Sequence, residues 1–272
     1  MTTEGRTALI AGQGRLPPLI AARLDNPVIA ALEGFTPEGL EAQPFRLERL
    51  VPFMDHLAEQ GVTQVCFAGA VRRPRLDPEA FDPRTASLVP RILAAMQSGD
   101  DAALRVVLTL FEEAGFRIVP ATGIAPDLLV PPGVLTGNPT AADREDAARA
   151  AGIVAALGAQ DLGQGAVVAQ GLCLAVETLP GTDAMLDFVA RHASARPNPK
   201  GARGVLFKAP KPGQDRRIDL PALGPHSVEA AARAGLAGIA WEAGGVMLLD
   251  AEAAVAAAQE AGLFLWSRPV DG

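Results

Sequence analysis

Short apolar runs alternate with amphipathic stretches along the whole chain, the pattern of an α/β protein in which buried strands are followed by surface helices. Thr7–Ala11 reads as a buried strand entering the turn Gly12-Gln13-Gly14, and a helix is expected from about Pro17 to Leu24. Leu47–Gln60 has helical spacing, closes at Gly61 and leads into a second predicted strand, Thr63–Gly69. The stretch Arg72–Pro90, rich in Pro, Arg and Asp, is expected to be mostly loop. Gly99-Asp100-Asp101 reads as the start of a helix ending at Gly115, with a short strand expected over Phe116–Pro120.

The pattern then breaks at APDLLVPPGVLTGNPT, too rich in Pro and Gly for a helix or an inner strand. This divides the chain into an N-terminal domain (1–130), a linker (131–140) and a C-terminal domain (141–272). Beyond it the pattern predicts a long Ala-rich helix over Ala141–Gln160, with acidic residues in its first turns as the macrodipole favours. A hairpin is expected from Gly165–Gln170 and Leu172–Glu177, then a helix over Gly181–Ala193 and a strand over Gly204–Lys208. Ala209–Gly224 reads as an extended polar loop. The remainder predicts helix Ser227–Ala234, strands Gly238–Glu242 and Val246–Leu249, helix Ala251–Ala261 with Asp250 as its N-cap, and strand Leu263–Trp266.

Composition sharpens this. The 272 residues suit about two domains of ordinary size. A hydrophobic fraction of 49% against 20% charged residues excludes disorder as the main state. With aromatics at only 4% and no tyrosine, the core is expected to be built from Ala, Val, Leu and Ile. A net charge of −7 leaves no overall basic footprint for nucleic acid. Cys66 and Cys173 lie far apart in apolar runs, and each reads as a buried free thiol rather than half of a disulfide or a zinc ligand. Neither a signal peptide nor a membrane-spanning run is seen, so the expected compartment is the cytoplasm.

Four clusters could carry chemistry. In the first, a strand enters Gly12-Gln13-Gly14-Arg15-Leu16, where backbone N–H groups at a helix start would favour an anion. The third glycine of a dinucleotide fingerprint is missing, and a tight turn needing two glycines explains the motif equally well. The second is Gly69 followed by Arg72, Arg73 and Arg75, either a phosphate contact at a strand's carboxyl end or a solvated charge run. The third pairs Glu177 with Thr182 and Asp183 at a helix start, a phosphate contact or simple capping. The fourth is Lys208-Ala-Pro-Lys211-Pro-Gly-Gln214-Asp215-Arg216-Arg217-Ile-Asp219. There Asp215 and Asp219 could share one Mg²⁺ while the cations neutralise a diphosphate; the alternative is a surface loop laced with weak salt bridges. Of the three histidines only His226 is positioned for proton transfer, and no Gly-x-Ser-x-Gly, HExxH or Walker lysine occurs.

Read together and in order, IAGQGRLP, FAGAVRRP, GDDAALR, LGAQDLGQGAVV, GTDAML and KAPKPGQDRRIDLPALGP resemble the LpxI-type UDP-2,3-diacylglucosamine diphosphatases of lipid A biosynthesis, from Thr7 to about Trp266. The resemblance implies two α/β domains, an N-terminal Rossmann-like parallel sheet and a mixed C-terminal domain, with the substrate between them. It implies Mg²⁺-assisted attack of water at the β-phosphorus of UDP-2,3-diacylglucosamine, giving UMP and 2,3-diacylglucosamine 1-phosphate. The essential aspartate of such enzymes falls on Asp219 first and Asp215 second, both also candidate metal ligands. Substrate contacts are expected from Gly12, Gly14, Arg15, Leu16, Gly69, Arg72, Arg73, Thr182, Asp183, Lys208, Lys211 and Gln214. A homodimer and transient peripheral contact with the cytoplasmic face of the inner membrane are implied as well. The chain departs from the family where Pro180 stands before Gly181-Thr182-Asp183 in place of a common Glu. The GDxHG and GNHD signatures of calcineurin-like phosphoesterases are absent. Two other classes compete: a non-catalytic nucleotide-sugar or lipid-binding protein with the same residues, and a nicotinamide oxidoreductase using the glycine turn.

Overall fold

The structure, a computed structural model, describes residues 5–72, 74–97 and 100–270. The chain forms two units that divide between Pro126 and Asp127. In the first, β1 (Arg6–Ala11), β2 (Val28–Leu32), β3 (Gln43–Phe45), β4 (Val62–Ala68) and β5 (Arg117–Ile118) form a wholly parallel sheet of order β3-β2-β1-β4-β5. Helices α1 (Leu16–Ala21), α2 (Leu50–Glu59), α3 (Pro83–Ala86), α4 (Val89–Gln97), α5 (Asp100–Glu113) and α6 (Ala121–Ile124) connect the strands. Inner parallel strands are covered on both faces and so read as unbroken apolar runs. Ala8, Leu9, Ile10 and Ala11 are all buried, and Leu9 pairs with Ile29 on one side and Cys66 on the other.

Arg72–Pro90, expected to be mostly loop, also holds α3 and the start of α4. α1 stops at Ala21, short of Leu24, because Ala22, Arg23 and Leu24 continue as turn rather than helix. Gly99 lies outside the described residues.

Glu48 is buried, and its Oε1 accepts the backbone N–H of Asp77 at 2.8 Å. Burial alone would push its carboxyl up, but the N–H groups of Asp77 and of Glu48 itself, with Arg46, hold it below its ordinary value. Asp82, which accepts the N–H groups of Arg84 and Thr85, is lowered in the same way against a raising contribution from burial. A lowered carboxyl stabilises the fold above its unfolded pKa, and that stability is lost as pH falls through the folded value. Glu48→Gln is therefore expected to cost about 1–2 kcal/mol at neutral pH and much less in acid. Urea midpoints of the two proteins should stay a constant distance apart above the ordinary Glu value of about 4.3 and converge as pH falls below it; curves that stay parallel there would refute the assignment.

The second unit is built on β6 (Gly133–Thr136), α7 (Ala141–Gly158), β7 (Gly165–Ala169), β8 (Leu172–Val176), α8 (Gly181–Arg191), β9 (Val205–Lys208), β10 (Ala222–Leu223), α9 (Pro225–Arg233), β11 (Gly238–Glu242), β12 (Met247–Leu248), α10 (Ala251–Ala261) and β13 (Phe264–Arg268). Its mixed sheet has the order β6-β13-β11-β9-β7-β8, with β9, β11 and β13 parallel and the other neighbours antiparallel. Alternate residues face two cores. Leu206, Ile239, Trp241 and Leu265 pack with α8, α9 and α10, whereas Val205, Phe207, Ala240 and Trp266 pack with the small residues Ala147 and Ala150 of α7.

The Pro-rich stretch expected as a linker, 131–140, instead supplies an edge strand, because β6 lies outermost in the sheet, where prolines beside a short strand are tolerated. Val246–Leu249, expected as a strand, contributes β12, which pairs with β10 in a separate two-stranded sheet. Asp250 occupies the N-cap of α10 with φ +48°, yet its side chain makes no cap hydrogen bond. Cys66 is buried as expected, and burial pushes its thiol up to about 12. Cys173 is exposed, contrary to expectation, because β8 is the other edge of the sheet. The β7–β8 hairpin turns at Gln170 and Gly171, both at positive φ, as a tight two-residue turn requires. Buried Asp146 of α7 accepts both their N–H groups, at 2.9 and 2.7 Å.

Candidate active site

In the N-terminal unit the strand order reverses between β1 and β4, and ligands of open α/β sheets bind at the carboxyl ends of strands at such a switch point. Gly12–Leu16 follows β1 and Gly69–Arg72 follows β4, so the structure brings these two sequence clusters side by side. The turns are paired backbone to backbone: Gly12 N–H donates to Ala68 O at 2.7 Å, and Gln13 and Ala70 exchange two hydrogen bonds of 2.9 Å. A Cβ on Gly12 would lie 2.6 Å from Ala70 O, and Gly69 has φ +94°, so close approach explains both glycines. The N–H groups of Gly12 and Gln13 are thus engaged within the fold. α1 has six residues and Arg15 at its N-cap without a side-chain cap, which gives little dipole to hold an anion. Gly14 (φ +94°) has open space around it, Leu16 is buried, Arg15 and Arg72 are exposed, and Arg73 lies outside the described residues.

In the C-terminal unit the last residue of β9, Lys208, shares its face with Leu206 and so points to the α8 side of the sheet. It is 7% exposed. Its Nζ donates to the Thr182 hydroxyl at 2.7 Å, and that hydroxyl donates to Glu177 Oε2 at 2.8 Å. Glu177 Oε2 lies 3.6 Å from Nζ, completing a compact ion pair bridged by a hydroxyl. Room for the carboxylate comes from Gly165, whose Cβ would stand 2.8 Å from Glu177 Oε2. Thr182 is therefore not a helix cap, and α8 begins after Pro180 with no side-chain cap at all. The acidic residue missing before Gly181 has a counterpart in Glu177, which reaches the same helix start from the end of β8. Asp183 is exposed, 3.5 Å from His226 Nε2.

The loop after β9 is organised by Gln214, itself 7% exposed. Its Oε1 accepts from Gln164 Nε2 at 2.9 Å and from Lys211 N–H at 2.8 Å, and its Nε2 donates to Asp219 Oδ2. Around it each cation meets a carboxylate: Lys211 pairs with Asp161, Arg216 with Glu242 at 2.9 Å, and Arg217 with Asp215 at 2.7 Å. Arg217 Nε also lies 3.0 and 3.1 Å from the two oxygens of Asp215. Asp219 differs in receiving a neutral amide. The two aspartates that could share a cation have different partners: Asp215 turns to Arg217 and Asp219 to Gln214.

Among the described residues no group of three or more His, Cys, Asp and Glu side chains is arranged to hold a metal ion. Mg²⁺ needs fewer protein ligands, since it keeps several waters and is commonly held by one or two carboxylates with substrate phosphates. Asp219 fits such a contact; Asp215, clasped through both oxygens by a guanidinium, fits it poorly.

On the opposite face of the sheet a pocket of about 250 Å³ opens at the ends of β9, β11 and β13. Val154 and Phe207 supply an apolar wall, and Lys211, Arg216 and Glu242 a charged rim. Sequence reasoning overlooked Asp161 and Gln164 as members of this region. Both stand in the LGAQDLGQG stretch, whose polar residues between an Ala-rich helix and a buried strand were the available signal.

Two family profiles cover nearly the whole chain, the LpxI N-terminal domain over residues 6–128 and the LpxI C-terminal domain over residues 131–266. A curated protein of Caulobacter vibrioides, UDP-2,3-diacylglucosamine pyrophosphatase LpxI, is 39% identical over 269 residues, spanning 96% of each chain. Similarity of this extent in both units, on a parallel sheet followed by a mixed one, means that the chain belongs to the LpxI family.

Proposed function

We propose that the protein hydrolyses the diphosphate of UDP-2,3-diacylglucosamine to UMP and 2,3-diacylglucosamine 1-phosphate, as a step of lipid A biosynthesis. Family membership and the similarity to the Caulobacter pyrophosphatase support the substrate class. The observation that carries the chemistry is Asp219, a half-buried carboxylate held by a neutral amide in a loop whose cations are already matched to other carboxylates. A carboxylate so held can accept a proton from, or orient, the water whose oxygen attacks phosphorus. The P–O bond to the bridging oxygen then breaks, one phosphate leaving with the uridine and the other with the sugar.

Lys208 and Lys211 are the groups to meet the negative charge of the diphosphate, Lys208 from its pairing with Thr182 and Glu177. Asp219 is the residue that would hold Mg²⁺, with Asp215 second. Such an ion, when bound, neutralises phosphoryl charge and acidifies a bound water. In the N-terminal unit the switch-point turns are proposed as a phosphate or nucleotide contact, through Gly14, Arg15 and Arg72 rather than through the engaged N–H groups of Gly12 and Gln13. No described helix is long and apolar enough to cross a membrane. Transient peripheral contact with the cytoplasmic face of the inner membrane, and a homodimer, belong to the same reading, the acyl chains of the substrate being what would draw the protein to lipid.

The test is release of UMP from UDP-2,3-diacylglucosamine by the purified protein, with Mg²⁺ and with EDTA. Turnover that EDTA abolishes and added Mg²⁺ restores is expected. Tight binding of the lipid nucleotide without UMP release would overturn the hydrolase in favour of a binding protein, and turnover indifferent to EDTA would remove Mg²⁺ from the proposal.

A further inference from the structure

We infer that Gln214 is a positioning residue that holds the Asp219 carboxylate in its working orientation, and that Gln164 and the backbone of Lys211 hold Gln214 in turn; the inference rests on the role proposed for Asp219. The orientation of the Gln214 amide follows from chemistry alone. The backbone N–H of Lys211 can only donate, and it points at one end of the amide from 2.8 Å. That end must be the oxygen, because an NH₂ group there would set donor against donor. The oxygen also faces the Gln164 side chain at 2.9 Å, so Gln164 must present its own NH₂ group. With the oxygen doubly occupied, the Gln214 NH₂ group is left pointing at Asp219 Oδ2.

A donor in that position suits an ionised carboxylate, which only accepts. The chain of bonds starts from rigid backbone: Gln164 O itself accepts the N–H of Ala209 at 3.0 Å, directly beyond β9. Asp219 is thereby referenced to the sheet, although it stands in a loop whose prolines and glycine forbid regular structure. Gln214 is 93% out of solvent and three of its hydrogen-bonding positions are taken by the protein, so its contribution passes through Asp219 rather than through substrate.

One substitution separates positioning from plain support of the loop. Gln214→Glu keeps an oxygen to accept from Gln164 and Lys211 but puts an acceptor against the Asp219 carboxylate. If Gln214 only braces the loop, this variant works as wild type. If it positions Asp219, kcat for UMP release falls by about 100-fold while KM is unchanged, the usual result of a misdirected reacting group. Gln214→Ala should do the same. Wild-type kcat in Gln214→Glu, or a raised KM at unchanged kcat, overturns the positioning role.

Should Gln214→Glu fail to fold by thermal melting, Gln164→Ala decides, since it touches neither Asp219 nor the loop backbone through its side chain. A fall of roughly 10-fold in kcat at unchanged KM and melting temperature is expected there, and unchanged kcat overturns the inference. A wild type that releases no UMP overturns the hydrolase reading and this one together, whereas an active wild type with an active Gln214→Glu overturns this one alone.

Discussion

Asp219→Ala is expected to bind UDP-2,3-diacylglucosamine as wild type does and to release UMP about 10³-fold more slowly or not at all. The reason lies in its surroundings. Asp219 has no cation facing it among the contacts of its loop, which are Gln214 Nε2 to its side chain and the Asp215 carbonyl to its own N–H at 3.3 Å. Its removal leaves one amide donor without a partner, a cost of about 1 kcal/mol that the C-terminal unit should tolerate. Asp215→Ala makes the informative contrast, because that carboxylate holds Arg217 through both oxygens and its loss disturbs the loop first. It should therefore lower turnover less, and mainly by raising KM. Kd measured calorimetrically beside kcat separates the two effects. If Asp219→Ala keeps wild-type turnover while Asp215→Ala is inactive, the assignment of the two carboxylates is reversed.

The frame of both units was legible because their inner strands are short unbroken apolar runs. TALIA, GAVVA and GIAWE fall on β1, β7 and β11 almost residue for residue. The strands that escaped were those with weaker signals. β3 has a proline at its centre and two exposed residues, and its pairing with β2 is purely tertiary. β2 is as apolar as β1, but at five residues its run VIAAL is short and periodicity assigns it no element. β6 sits inside a stretch whose prolines argue against any inner strand, and only its pairing with β13 at the sheet edge reveals it.

At the candidate site, composition and spacing singled out the segment in which Lys208 ends β9 and Lys211, Gln214, Asp215 and Asp219 follow in the loop. Spacing cannot say which carboxylate a guanidinium will take. The split between Asp215, with Arg217, and Asp219, with Gln214, depends on χ angles that no linear pattern encodes. The pairing of Lys208 with Thr182 and Glu177 joins β9, α8 and the end of β8 across separations of 26 and 31 residues, and only register brings them together. In the N-terminal unit the glycines looked like anion-binding groups, and the structure adds a packing reason for them that the motif alone left open.

Lys208→Met is expected to destabilise the C-terminal unit by about 3 kcal/mol as well as to suppress turnover. The ammonium is almost wholly removed from water and lies against a carboxylate whose side chain is only 12% exposed. Deleting the cation leaves Glu177 ionised in that enclosure with Thr182 as its hydrogen-bond donor, the situation in which breaking a buried pair is most costly. Glu177→Gln alone strands the lysine in the same way. Removing both charges, in Lys208→Met with Glu177→Gln, should recover much of the lost stability, because neither desolvation penalty is then left uncompensated. The double variant therefore divides structure from chemistry. On the proposed function Lys208 lends its charge to the diphosphate, so the melting temperature should return towards wild type while kcat/KM stays down. A double variant that regains turnover along with its melting temperature would reduce Lys208 to the partner of Glu177 and leave Lys211 to meet the diphosphate.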